Sequence, residues 1–463
     1  MDNLLADGGS FRDPGGRIFS ADGRILRAVM RSSAAAYEAV RDSGLLRRLS
    51  ERQLLLASEE IDVSSFGQLT PAPAYLLEHP RIPFVSYPYE WCFSLHRRAA
   101  LHHLDLHLAA LEDGFTLSDS TAYNIQFEGT RPVFIDHLSL VPYKDGDVWM
   151  GHRQFCMQFL NPLIFWAVLG VQPNYWFRGS LEGIAPEDLS PLLSWRDNLS
   201  WTVMTHVTAQ AALQKRSVRK GTHAGKPSER KLPKSALIGM LQGLRSYIAR
   251  LKLSGDATVW GDYADHTSYA GEEQAAKHRF VRKMVEASKP RLLFDLGCNT
   301  GDYSLTALQS GAKSVIGFDF DPEALERAFQ RFAGGKEAFL PLWLDAANPS
   351  PSQGWAQAER KGMAERANAD ALVALAFIHH IAIGRNVPLE MAVDWIMSMA
   401  PTGVIEFPPK SDPMVQRLLA QREDIFPDYH EHAFLRHVER RGRVHAQERL
   451  SENGRLLLWY ERG

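Results

Sequence analysis

The sequence predicts an α/β protein in which an α+β domain precedes a mostly parallel sheet covered by helices. Three observations lead there. Short apolar runs alternate with helical patterns between residues 292 and 407. A glycine-marked turn, Gly297 to Gly301, joins the first of those runs to its helix. The chain has 463 residues, too many for one ordinary core, and a Lys/Arg-rich stretch at 215–234 divides it.

Taken in order, residues 17–29 read as two strands turning at Ala21-Asp22-Gly23, a hairpin signal. Residues 34–49 have helical spacing, through Tyr37, Val40, Leu45 and Leu49. An extended, proline-marked stretch at 82–88 leads into a helix at 91–111. Two short strands follow, 125–127 and 132–135, separated by Glu128-Gly129-Thr130-Arg131. Helical patterns dominate 153–214. The 215–234 stretch holds almost nothing apolar, so it reads as a solvated linker, with contact to an anionic polymer as the alternative. The expected division is therefore 1–214, a linker at 215–234, and 235–463.

After the linker a helix at 235–253 is expected, then strands at 292–296, 314–318, 339–344, 371–377 and 403–407. Helices fall at 302–310, 322–333 and 389–399. The first strand ends at Asp295 and turns through Gly297, Asn299 and Gly301 into its helix. Glycine there admits a ligand against the turn, and the helix start offers amides to a polar group. One strand later Asp319 stands where a carboxylate can accept hydrogen bonds from both hydroxyls of a ribose. This D-x-G-x-N-x-G, then V-x-G-x-D-x-D, resembles the class I methyltransferase pattern rather than the dinucleotide fingerprint G-x-G-x-x-G.

The resemblance implies a Rossmann-like domain that binds S-adenosylmethionine. Gly297, Asn299 and Gly301, anchored by Asp295, would line its methionine part, and Asp319 would hold the ribose. Phe320 would flank the adenine, and Asp345 would read its amino group or else cap a turn. The segment 260–277 resembles one that closes over the cofactor, with Tyr263, Tyr269 and Lys277 as candidates. For the acceptor, His379 and His380 follow one strand and Glu406 lies near the end of another. A histidine there is a candidate base for removing a proton as the methyl group moves. Lys410 and Asp412 share a polar loop beside them, where they contact substrate or are plain surface charges.

Asp119, Asn124 and Asp136 carry a second pattern, an Asp five residues before an Asn and a further Asp after a hairpin. It resembles the catalytic core of protein kinases and aminoglycoside-type phosphotransferases, which implies a kinase-like N-terminal domain binding ATP and Mg. No glycine-rich loop accompanies it, and the nearest substitute for the usual Lys–Glu pair is Arg27 or Arg31 with Glu38. The alternatives are a pseudokinase that recruits a partner, or a hairpin whose polar residues cap turns.

A formal net charge of -2 gives no case for nucleic acid, and no apolar run is long enough for a membrane span. The three cysteines show no disulfide or zinc spacing, and a cytoplasmic location is expected. Stretches around Tyr87-Pro88-Tyr89, Tyr123-Asn124 and Asp295 to Ser304 resemble a family of rhizobial nodulation proteins described as methyltransferases. The resulting expectation is an S-adenosylmethionine-dependent enzyme acting on an oxygen or nitrogen of a small molecule or glycan. The alternative is a bifunctional kinase–methyltransferase.

Overall fold

The computed structural model describes residues 5–66, 71–219, 231–253, 271–420, 422–450 and 454–462. They form two units: one comprises 1–127, 131–256 and 353–360, the other 128–130, 257–352 and 361–463.

The first unit opens with an antiparallel sheet in the order β1-β2-β3-β5-β4, built from β1 (Leu5–Ala6), β2 (Gly16–Ala21), β3 (Arg24–Val29), β4 (Glu59–Ile61) and β5 (Tyr75–His79). Asp22 and Gly23 both have positive φ, 48° and 81°, so the expected β2–β3 hairpin closes through the left-handed turn that a two-residue loop requires. The single helix expected at 34–49 is two, Arg31–Asp42 and Leu45–Glu51, because Gly44 interrupts it at φ 74°. The Phe93–Glu112 helix is buried along most of its length and carries His96, His102, His103 and His107 inside. Beyond it come β6 (Phe115–Leu117), β7 (Ile125–Glu128), β8 (Arg131–Phe134) and β9 (Leu140–Pro142), with β6 pairing β9 and β7 pairing β8.

Two corrections concern the following region. The helical stretch breaks into short pieces and contains two π-helical segments, Cys156–Leu160 and Met204–Thr208. The basic segment is not all linker, since the Ala209–Arg219 helix runs into it; residues 220–230 lie outside the described part. The helix after it, Lys234–Arg250, belongs to the first unit rather than the second. It packs on the Phe93–Glu112 helix, where Arg245 donates to Asp105 at 2.5 Å, and Arg97 donates to the Leu251 carbonyl.

The second unit is one seven-stranded sheet in the order β12-β11-β10-β13-β14-β16-β15. Its strands are β10 (Leu292–Leu296), β11 (Ser314–Asp319), β12 (Phe339–Trp343), β13 (Ala371–Ala374), β14 (Thr402–Phe407), β15 (Arg443–Arg449) and β16 (Leu456–Glu461). Strands β10 to β14 pair in parallel, and their near-continuous apolar composition follows from burial on both faces. β16 then pairs antiparallel with β14, and β15 with β16. The result is a mostly parallel sheet closed at one edge by an antiparallel hairpin. The strand order reverses at β10, between β11 and β13, which is where open α/β sheets place a ligand at their carboxyl ends.

Cys92, Cys156 and Cys298 are all buried, and none of the three is in a disulfide. Among the described residues, no helix is long and apolar enough to cross a membrane.

Candidate functional site

At the carboxyl end of β10 the chain turns through Gly297 (φ 72°), Asn299 (φ 47°) and Gly301 (φ 82°), conformations that a β-carbon penalises. Packing reinforces the need for glycine. A Cβ on Gly297 would lie 3.1 Å from the Phe377 ring, and one on Gly301 would lie 2.8 Å from the Phe332 ring. Glycine therefore serves the turn and its aromatic neighbours, as well as leaving room above it. The loop amides are less available than the sequence suggested. Gly297 and Cys298 donate to the Phe318 carbonyl, at 2.8 and 3.0 Å, and the Asn299 amide donates to Asp319 Oδ2 at 2.9 Å. What remains for a ligand is the Asn299 side chain, whose buried Oδ1 has no partner among the described residues.

Asp319 closes β11 beside this loop. Its Oδ1 accepts from the Asp321 amide at 3.0 Å, so each carboxylate oxygen is steered by one backbone amide and keeps further acceptor capacity. Burial pushes its carboxyl up to about 6, against the pull of those amides. Asp295, within β10, is pushed up to about 7 by burial, while the Ser304 hydroxyl, donating at 2.6 Å, opposes the rise. Ser304 lies one turn into the helix that follows Gly301. Nothing in its residue type singled it out beforehand.

Phe320 is 47 % exposed next to Asp319. Asp345, after β12, caps a turn by accepting from the Ala347 amide at 3.1 Å and lies 3.6 Å from Arg385. Tyr263 and Tyr269 lie outside the described residues.

The acceptor-side candidates behave differently from one another. His379 and His380 start a short helix after β13, their rings 4.1 Å apart, and both are buried or nearly so. Burial lowers the proton affinity of both, His380 to about 4, so both are neutral at pH 7. Neither ring nitrogen of His379 has a partner among the described residues.

Glu406, also expected as catalytic, sits in a buried ion network. Fully enclosed, it lies 2.8 Å from Lys277, from Arg455 Nη1 and from the Ala376 amide. Burial alone would raise its carboxyl, but Lys277 and Arg455 outweigh that and hold it below the usual range. Arg455 is 4 % exposed and also grips Asp412 with two hydrogen bonds, 2.6 and 3.1 Å. Asp412 in turn caps the Pro413–Leu419 helix. Lys410 pairs with Asp424. Arg455 was not singled out because it lies 49 residues from Glu406, just before β16, and belongs to no motif.

In the first unit, the three residues of the second pattern do meet. The Asn124 side-chain amide donates to Asp119 at 3.1 Å and approaches Asp136 at 3.5 Å. Arg27, on β3, donates to Asp136 at 2.8 Å and to the Ile135 carbonyl at 2.9 Å. Asp119 is pushed up to about 7, by burial first and then by the Asp136 charge. Arg27 does not pair with Glu38, which instead accepts from the Tyr75 hydroxyl at 2.6 Å.

No protein-family profile matches the chain. It is 46% identical over 456 residues to the nodulation protein NoeA of Rhizobium meliloti (strain 1021), covering 98% of this chain and 95% of that protein. It is 36% identical over 64 residues to the ribosomal protein L11 methyltransferase of Hamiltonella defensa, which is 14% of this chain and 21% of that protein. Among solved structures it is similar to the N-methyltransferase NodS from Bradyrhizobium japonicum WM9 in complex with S-adenosyl-l-homocysteine, with a TM-score of 0.31 and 13% identity over 41% of this chain and 87% of the other. The full-length match at 46% identity decides the family: the chain belongs to that of the nodulation protein NoeA.

Proposed function

We propose that this chain is an enzyme that transfers the methyl group of S-adenosylmethionine to an oxygen or nitrogen nucleophile of a small molecule or glycan. The observation that carries the reading is the pairing of the Gly297–Gly301 turn with Asp319 at the point where the sheet order reverses. The residues suit that cofactor: Asp319 has acceptor capacity for two ribose hydroxyls, and the orphaned Asn299 Oδ1 suits an ammonium donor. Gly297 and Gly301 give the turn the positive φ it needs, Asp295 lies within the strand that leads into it, and Phe320 and Asp345 are the candidates for the adenine.

When bound, the cofactor supplies an electrophilic methyl on a sulfonium. The chain's own work is to hold that methyl in line with the acceptor and to exclude water, which supplies most of the acceleration. His379 and His380 are the candidate proton acceptors. Burial keeps both imidazoles neutral at pH 7 and only weakly basic. That suits an acceptor whose proton leaves late, after the new bond has formed. Glu406 enters through Lys277 and Arg455 as a positioning group. The test is titration calorimetry of S-adenosylmethionine with wild type and Asp319→Ala. The reading expects binding that weakens at least tenfold in the variant; equal affinity would refute the ribose assignment.

A second reading, of a bifunctional kinase–methyltransferase, is favoured by one observation: Asp119, Asn124 and Asp136 stand in mutual contact. A divalent cation held by Asn124 and Asp136 would relieve the repulsion between the two carboxylates, and Asp119 would face an acceptor hydroxyl. It predicts magnesium-dependent phosphate transfer from ATP that Asp136→Ala abolishes while methylation persists. Binding of ATP without turnover would favour a pseudokinase instead.

A further inference from the structure

A cluster of metal-ligand side chains lies in the first unit, in the helical region where no metal spacing was apparent. His152 and Cys156 stand four apart on one face of a helix, and His206 meets them from a second helical stretch. His152 Nε2 is 2.8 Å from His206 Nδ1 and 3.6 Å from Cys156 Sγ, and the three ligand atoms all lie within 4.8 Å of one another. Tetrahedral zinc with ordinary Zn–N and Zn–S bonds needs ligand atoms about 3.3 Å (N to N) and about 3.6 Å (N to S) apart. The His152–Cys156 edge is already at that length, and the His152–His206 edge must open by about half an ångström.

Two further features point the same way. Cys156 opens one π-helical segment and His206 lies in the middle of the other. Such segments re-aim side chains and recur at functional sites. Gln210, one turn after His206, places its side-chain amide nitrogen 3.1 Å from His152 Nδ1 and 3.6 Å from Cys156 Sγ, while its buried Oε1 has no partner among the described residues. Amide oxygen and nitrogen are interchangeable by a half-turn. With the oxygen inward, Gln210 accepts from His152 Nδ1–H. That satisfies the orphaned oxygen and fixes the tautomer whose Nε2 lone pair faces Cys156 and His206, as partners of metal-bound histidines do.

We propose that His152, Cys156 and His206 form a binding site for a borderline-soft divalent cation of the zinc class, with Gln210 orienting His152 and a fourth position left to solvent. Binding forms an S–metal bond as the S–H bond breaks, and one proton is released to solvent for each cation bound. The bound cation would tie the helical stretch beginning at His152 to the one containing His206. Trp149 packs on His152 and donates to Ser120 at 3.1 Å, and the Ser120 amide donates to Gln154. The same tie would thus steady the loop that carries Asp119.

The test uses the full-length protein, stripped with chelator and dialysed, and titrated with zinc alone and with cobalt(II) alone. Wild type should take up one equivalent of zinc with release of about one proton, and cobalt should give a thiolate-to-cobalt charge-transfer band. Cys156→Ser should abolish that band, and His206→Ala should weaken zinc binding by about 10–100-fold. Cys298→Ser should change neither readout. His206 is only partly buried, so its variant decides the matter if Cys156→Ser fails to fold. Absence of the band in wild type, or its persistence with unchanged zinc affinity in folded His206→Ala, would overturn the proposal.

Discussion

Arg455→Met should be among the most damaging single changes in the second unit. Arg455 is 4 % exposed and binds two carboxylates whose side chains are fully buried, Glu406 at 2.8 Å and Asp412 at 2.6 and 3.1 Å. Methionine preserves much of the length but removes the charge. Glu406 keeps Lys277 and the Ala376 amide, whereas Asp412 loses both guanidinium bonds and keeps the Met414 amide. Removing one partner from a buried ion network costs about 3–5 kcal/mol. At about 2–4 °C per kcal/mol for a unit of this size, the melting temperature should fall by roughly 6–20 °C.

The pH dependence carries the sign. Glu406 is held below the ordinary range when folded, so its contribution is complete above the unfolded value and fades as pH falls through the folded one. Without Arg455 less opposes the burial that raises this carboxyl, so the variant binds a proton at higher pH than wild type. The gap in stability should therefore be widest near pH 7.5 and should narrow toward pH 5. Denaturant unfolding followed by circular dichroism at both values measures it. A loss below 1 kcal/mol at pH 7.5, or an equal loss at both, would refute the account.

Other expectations follow from the same geometry. Burial lifts Asp295 to about 7 and Asp319 to about 6, and a cationic ligand with two donating hydroxyls favours their ionised forms. Affinity for S-adenosylmethionine should be full at pH 8 and fall more than tenfold by pH 5.5, read by calorimetry; a flat profile would contradict it. Ser304→Ala removes the hydroxyl that opposes the rise of Asp295, so the midpoint of that loss should move to higher pH. Gly301→Ala combines φ 82° with a Cβ 2.8 Å from Phe332 and should cost about 1–3 kcal/mol more than Gly334→Ala, which has φ 91° but nothing within 4 Å. Equal costs would mean that the Phe332 contact yields without strain.

Much of the turn from β10 to Asp319 was legible because local chemistry wrote it. The β10 run is apolar on both faces, the turn needs positive φ at Gly297 and Gly301, and the carboxylate ends the next strand. The hairpin β15–β16 was missed for physical reasons. β15 is an edge strand dense in Arg and Glu with alternating exposure, and it becomes a strand through pairing with β16. The expected strand at 371–377 ends at Ala374, where the chain turns off the sheet through Ala376 at φ 46°. The ion network around Glu406 was not legible because Lys277 and Arg455 are distant residues that no local pattern connects. The His152–Cys156–His206 cluster was overlooked for a similar reason, since two π-helical segments and a long separation bring it together.

A crystal structure of the chain with bound S-adenosylhomocysteine tests the central claim most directly. The account predicts the two ribose hydroxyls within hydrogen-bond distance of the Asp319 carboxylate, the amino-acid end over the Gly297–Gly301 turn beside Asn299 Oδ1, and the adenine next to Phe320. A ligand bound elsewhere, or one whose ribose leaves Asp319 untouched, would contradict it.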